Sequence, residues 1–220
     1  MIQHLNFGDL LPYWDVFARG LLFTIVLTLT STVAGLTLGT AGAWARTFGP
    51  RWAGALTRAY VEIIRNTPFI VQLFFIFFGL PALGVKLSEN TAAFIAMVVN
   101  LGAYSTEIIR AGIEAVPKGH LEAGASLAMS RWEIFRHIVL KPAIMKVYPA
   151  LSSQIIIVML GSAVVSQISA EDLTYAANYI QSRNFRAFEV YIVAALLYLL
   201  LAIGLRALLR GIGRAIFPKG

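Results

Sequence analysis

Five long stretches of this chain carry no charge: 20–45, 66–85, 90–106, 147–170 and 190–205. Each is dominated by apolar residues, without the alternation of a lipid-facing barrel strand. About 20 helical residues cross the hydrocarbon core of a bilayer. Runs of 26, 20, 17, 24 and 16 residues therefore predict about five transmembrane helices. The two shortest are completed if Glu107, Glu189 or Arg206 reaches to the interface. Backbone in lipid must satisfy its own hydrogen bonds, and without barrel alternation only helices do so. The fold class is an all-α polytopic membrane protein.

The polar intervals divide the chain further. In residues 1–19, Asp9 and Asp15 stand where a secretory signal needs bases, and the apolar run begins too late for one. This stretch reads as an interfacial segment, with Leu10, Leu11, Tyr13, Trp14 and Phe17 available to the headgroup boundary. Residues 20–220 read as one transmembrane domain with a polar loop at 112–146. Composition agrees: 13% of residues are charged, against about 25% in soluble domains. The chain has no cysteine, which excludes disulfides and thiolate metal sites.

Five spans sort the loops into two sets. One set holds 14 of the 18 bases, Lys219 among them, against five acids, a net charge of +9; the other nets −2. The positive-inside bias places the amino terminus outside and the carboxyl terminus in the cytoplasm, with the 116–146 loop cytoplasmic. Anionic lipid of the inner leaflet accounts for the basic balance without nucleic acid.

Within the spans, Gly35 and Gly39 form a small-x-x-x-small pair, read as intramolecular helix packing. In the second span Thr67 caps a helix opening at Pro68, or a helix from Tyr60 is kinked there. Gln72, alone among five phenylalanines, needs a bundle partner. Glu107 and Arg110 share a helix face with Glu114 and read as a structural ion pair or a gate latch. There is no internal repeat, which argues against an inverted-repeat transporter in one chain.

The 116–146 loop is organised. Pro117 suits the first turn of a short helix from about Lys118 to Leu127, and Ala123, Gly124, Ala125 and Ser126 let its backbone sink into a cleft of another protein. Ser130 and Glu133 match a capping box, so a second helix starts there. Its Ile134, Ile138 and Leu140 face apolar surface, Arg131, Arg136 and His137 face water, and Pro142 ends it.

With Glu122-Ala123-Gly124 and Ile138-Val139-Leu140 spaced in this way, the chain resembles the permease subunits of bacterial ATP-binding-cassette importers, in the polar amino acid uptake branch, similar to histidine, arginine and glutamine permeases. The blocks 65–81 and 103–119 carry the same resemblance, which runs from about Gly20 to the end. It implies the type I importer permease fold in a bacterial inner membrane, with the amino terminus periplasmic. It implies two ATP-binding-cassette ATPases, a second permease and a periplasmic substrate-binding protein as partners. Contact with the ATPase then falls to Lys118, Gly119, His120, Glu122, Ala123, Gly124, Ser126, Ala128 and Arg131. The chain departs from the family pattern in three places. Ala128 stands where glycine is usual, Pro142 comes one residue late, and Leu160-Gly161 replaces a Lys-Asp pair.

No Gly-x-x-x-x-Gly-Lys-Ser/Thr loop occurs, so no cofactor is expected in this chain, and ATP with magnesium belongs on the partner ATPase. A zwitterionic substrate needs donors and acceptors at mid-membrane, for which Gln72, Asn100, Tyr104, Gln154, Ser162 and Ser166 are the candidates. The rival readings are a passive facilitator subunit and an intramembrane enzyme. The second is disfavoured because the spans carry neither His-Glu-x-x-His nor an aspartate pair.

Overall fold

The computed structural model describes residues 5–216, so Lys219 lies outside the described residues. A 3-10 segment, Phe7–Tyr13, leads into α1 (Trp14–Thr47). There follow α2 (Arg51–Arg65), α3 (Phe69–Ala82), α4 (Glu89–Glu114), α5 (Lys118–Ser126), α6 (Arg131–Ile168), α7 (Leu173–Asn184) and α8 (Ala187–Ile216). The described residues contain no strand. Helices α1, α4, α6 and α8 are each long and apolar enough to span, and α2 with α3, bent by 111°, passes the same test only as a pair, which gives four to five candidate spans.

That bend departs from both sequence readings of the second span. Pro68 is the extended N-cap of α3, with φ −62° and ψ 140°, and occupies no helical position. A residue preceding proline is pushed out of the α region, so α2 stops short at Arg65. Thr67 caps nothing; its hydroxyl donates back to the Ile63 carbonyl at 2.8 Å. The Gln72 amide closes the corner by donating to the carbonyls of Ile64 and Thr67 at 2.7 and 2.9 Å.

Two other prolines are absorbed differently. Pro81 and Pro142 each follow a π-helical turn, at Phe75–Gly79 and Ile134–Val139. Proline has no N–H for the carbonyl four residues back, and the wider turn redistributes the affected bonds. Pro142 therefore does not end its helix as expected. The helix starting at Arg131 continues unbroken into the membrane as α6.

Helix α4 is the axis of the bundle, with Ala92, Ala93, Ala96, Met97, Leu101 and Ala103 fully buried. Lipid tails are as apolar as leucine, so close packing must supply the attraction between helices. Gly35 and Gly39 provide it inside the molecule, as expected. A Cβ at Gly35 would lie 2.9 Å from the Leu101 side chain, and one at Gly39 would collide with Ser105. The opposite face of α1, with Leu22, Val26, Leu29 and Val33, is exposed, as are Leu196, Leu199, Leu200 and Ile203 of α8.

The amino-terminal segment divides its apolar residues. Leu11 and Trp14 are exposed, but Leu10 and Phe17, expected at the headgroup boundary, are buried against Leu173, Ala176, Ala177 and Ile180. The reason is α7, a helix that the pattern of apolar runs does not predict. Its N-cap Asp172 is wholly buried, accepting from the Tyr175 amide at 2.8 Å and the Tyr198 hydroxyl at 2.9 Å. Burial pushes this carboxyl up to about 6.

Candidate coupling element and substrate cavity

Helix α5 is framed by local signals. Ser130 accepts from the Glu133 amide and Glu133 from the Ser130 amide, so the expected capping box forms. At the other end of the turn, the Met129 amide donates to the Gly124 carbonyl and the Ala128 amide to that of Ala125. These two bonds make a Schellman closure, which needs a left-handed residue at its centre. Ala128 fills that position at φ 55°, where an L side chain costs about 1 kcal/mol relative to glycine.

The small residues of α5 do not all face outward. Gly124 is buried, and a Cβ there would lie 2.7 Å from Ile138 and 2.9 Å from Ile134. It corrects the expectation that Gly124 meets a foreign cleft: this glycine lets α5 close onto α6. Lys118, Gly119, His120, Glu122, Ala123, Ser126 and Arg131 are exposed. The charged side chains among them make no ion pair with the described residues. Beneath this surface, Trp132 and Phe135 pack edge-on or tilted against Trp44 and Phe48 at the end of α1, each pair 5.7 Å between centroids. The sequence reading missed this aromatic clasp, because it joins segments about ninety residues apart.

Glu107 and Arg110 pair as expected, at 3.0 Å, and Arg110 also bonds Glu114. They belong to a larger set. Arg46 from α1 bonds Glu107 directly, and Arg65 from α2 stands 4.0 Å from it, its guanidinium over the Tyr104 ring. Arg46, Glu62, Arg65, Asn66, Tyr104 and Glu107 line a polar cavity of about 300 Å3. Elsewhere Asp9 and Glu189 gather around Arg186. Each cluster draws on only one of the two charge sets separated by the sequence.

A second cavity, of about 450 Å3, lies between α3, α4 and α6. Thr67, Asn100, Tyr104 and Gln154 contribute its polar groups, while Pro68, Phe69, Ile157 and Val158 make its walls apolar. Gln72 sits behind it, buried, accepting from the Asn100 amide at 3.0 Å. Tyr104 lines both cavities. Ser162 and Ser166 lie outside this cavity, on a 3-10 turn, and their hydroxyls bond the carbonyls of Met159 and Ala163. Gly161 lines the cavity, and a side chain there would meet nothing within 4 Å. No cluster of three or more histidine, aspartate and glutamate residues suited to a metal occurs among the described residues.

Comparison with known proteins agrees with this architecture. Residues 35–218 match the family model described as a binding-protein-dependent transport system inner membrane component. The glutamine transport system permease protein GlnP of Escherichia coli (strain K12) is 33% identical over 92% of this chain and 94% of its own length. The L-cystine transport system permease protein TcyB of Bacillus subtilis (strain 168) is 37% identical over 84% of this chain and 80% of its own. A solved structure titled as an amino acid ABC transporter with histidines superposes with TM-score 0.86 at 35% identity, covering 97% of this chain and all of that one. The MetNI methionine ABC transporter in an inward-facing form shares the fold, with TM-score 0.79 at 20% identity over 93% of this chain and 98% of that one. The chain therefore belongs to the family of binding-protein-dependent transport system inner membrane components.

Proposed function

We propose that this permease moves a polar amino acid, or a derivative of one, across the bacterial inner membrane, driven by ATP hydrolysed with magnesium on a separate subunit. Its partners in this reading are two ATP-binding-cassette ATPases, a second permease that is identical or homologous, a periplasmic binding protein and membrane lipid. The amino terminus is periplasmic and the carboxyl terminus cytoplasmic. The permease itself breaks no bond.

One observation carries the reading: α6 is continuous from Arg131, beside the coupling element, to Gln154 in the wall of the cavity. At about 1.5 Å per residue, that is roughly 35 Å of helix. Helix α5, clamped onto α6 through Gly124, presents Lys118, His120 and Glu122 to a partner. A push on α5 thus tilts α6, and the clasp to Trp44 and Phe48 carries α1 with it. Such rigid-body tilting opens the cavity alternately to each side. In the cavity, the amides of Asn100 and Gln154 and the Tyr104 hydroxyl serve a zwitterion, with Gln72 holding Asn100 in place. The described residues that line the cavity include no carboxylate, so it offers no anion to neutralise a cationic side chain. Glu107 and its arginines hold the cytoplasmic ends of α1, α2 and α4 together and release them when the bundle opens.

The test is Glu122→Arg in the assembled transporter. Uptake and substrate-stimulated ATP hydrolysis fall to background, while membrane level and thermal stability stay at wild-type values. Wild-type uptake in that variant would sink the coupling role.

A further inference from the structure

A groove of about 760 Å3 runs between α6 and α8 at the end of the bundle that carries α5. We infer that it binds an anionic phospholipid, the phosphate held by Arg206, Arg210 and Arg214 and one acyl chain laid along Met145, Ile156 and Leu209. Basic residues at the end of a span are ordinary, but these three share one groove. The arginines recur every fourth residue, so they stand one above another on a single face of α8, and all three line the same groove. Like Arg51, Arg58 and Arg131, they make no ion pair or hydrogen bond among the described residues. Among the described residues lining the groove there is no acid to neutralise them.

The rest of the lining has the opposite character. Met145, Pro149, Ile156 and Leu209 make it largely apolar, and Arg206 directly follows the uncharged run 190–205, which sets this boundary at headgroup level. Ser153, exposed and without a hydrogen-bond partner among the described residues, lines the same space. The floor is fixed: the Tyr148 hydroxyl donates to the Leu209 carbonyl at 2.6 Å, and a Cβ on Gly213 would lie 2.5 Å from the Tyr148 ring. A row of guanidinium groups beside apolar walls suits an amphiphile with a phosphate head. A second copy docking by the same face would oppose three arginines to three, and free phosphate would leave the trough without an apolar partner.

The test compares the full chain in phosphatidylcholine nanodiscs with and without phosphatidylglycerol, reading retained lipid by native mass spectrometry and unfolding temperature. Wild type retains phosphatidylglycerol preferentially, by roughly fivefold for each arginine engaged, and is stabilised by it. R206Q/R210Q/R214Q loses both effects while unfolding in pure phosphatidylcholine as wild type does; R51Q/R58Q keeps both. If the triple variant is unstable in phosphatidylcholine, R210Q alone shows a partial loss of retention. Equal retention of the two lipids by wild type, undiminished phosphatidylglycerol retention in the arginine variants, or equal stabilisation by inorganic phosphate would overturn the inference. So would loss of self-association in the triple variant with lipid retention unchanged.

Discussion

Between Pro117 and Glu133 the bonds that close the turns join neighbours a few residues apart: Ser130 with Glu133, Met129 with Gly124, Ala128 with Ala125. The cavity between α3, α4 and α6 is made in the opposite way. Asn100, Tyr104 and Gln154 come from α4 and α6, and the corner under Thr67 and Pro68 is held by Gln72 from a third helix. A surface of local construction keeps its shape through small shifts of the bundle, which suits the docking role proposed for it. The cavity depends on contacts between helices, and its geometry is only as stable as those contacts.

The contrast is broken most strongly at Glu107. Glu107→Gln leaves Arg46, Arg65 and Arg110 without their shared counter-charge at a largely buried position. It lowers stability by about 2–3 kcal/mol, measured by denaturant titration in detergent, and slackens the cavity while α5 keeps its helicity. A wild-type unfolding curve would remove Glu107 as the tie between the helices.

Next come Asn100→Leu and Gln154→Leu. Each reduces uptake by about tenfold or more, the loss of one or two hydrogen bonds to a charged ligand, and leaves basal ATP hydrolysis intact. Ser162→Ala and Ser166→Ala, whose hydroxyls serve their own helix, change uptake by less than about threefold. If the serines prove the more sensitive pair, the substrate lies elsewhere along α6.

The smallest effect is local. Ala128→Gly relieves the left-handed strain and slows hydrogen exchange in α5 by an amount equivalent to about 1 kcal/mol. Uptake and Glu107-dependent stability are unchanged. Destabilisation instead would mean that the Ala128 side chain makes a contact worth more than the strain.

These differences track how each feature was encoded. The spans were legible because lipid leaves a composition that can be counted, and the capping box because its partners are three residues apart. The start of α5 followed from Pro117. Pro142 misled: the rule that proline stops a helix holds only until a π turn absorbs the missing donor. Leu10 and Phe17 were misplaced because their cover, α7, lies more than 150 residues away, and Asp172 at its start gave no sign of burial. Gly124 looked like a docking residue because nothing near it announced that Ile134 and Ile138 fold back over it.

Uncharged run lengths, the asymmetry of charge and the turn signals around Ser130 came from the sequence alone, since each depends on one segment and its solvent. The rest was decided by tertiary structure: the joining of Arg46 and Arg65 to Glu107, the sharing of Tyr104 between two cavities, and the convergence of α3, α4 and α6 on one space. Those features depend on how closely helices approach and at what angle. In a bilayer, where greasiness no longer distinguishes one neighbour from another, packing at positions such as Gly35 and Gly39 sets that approach.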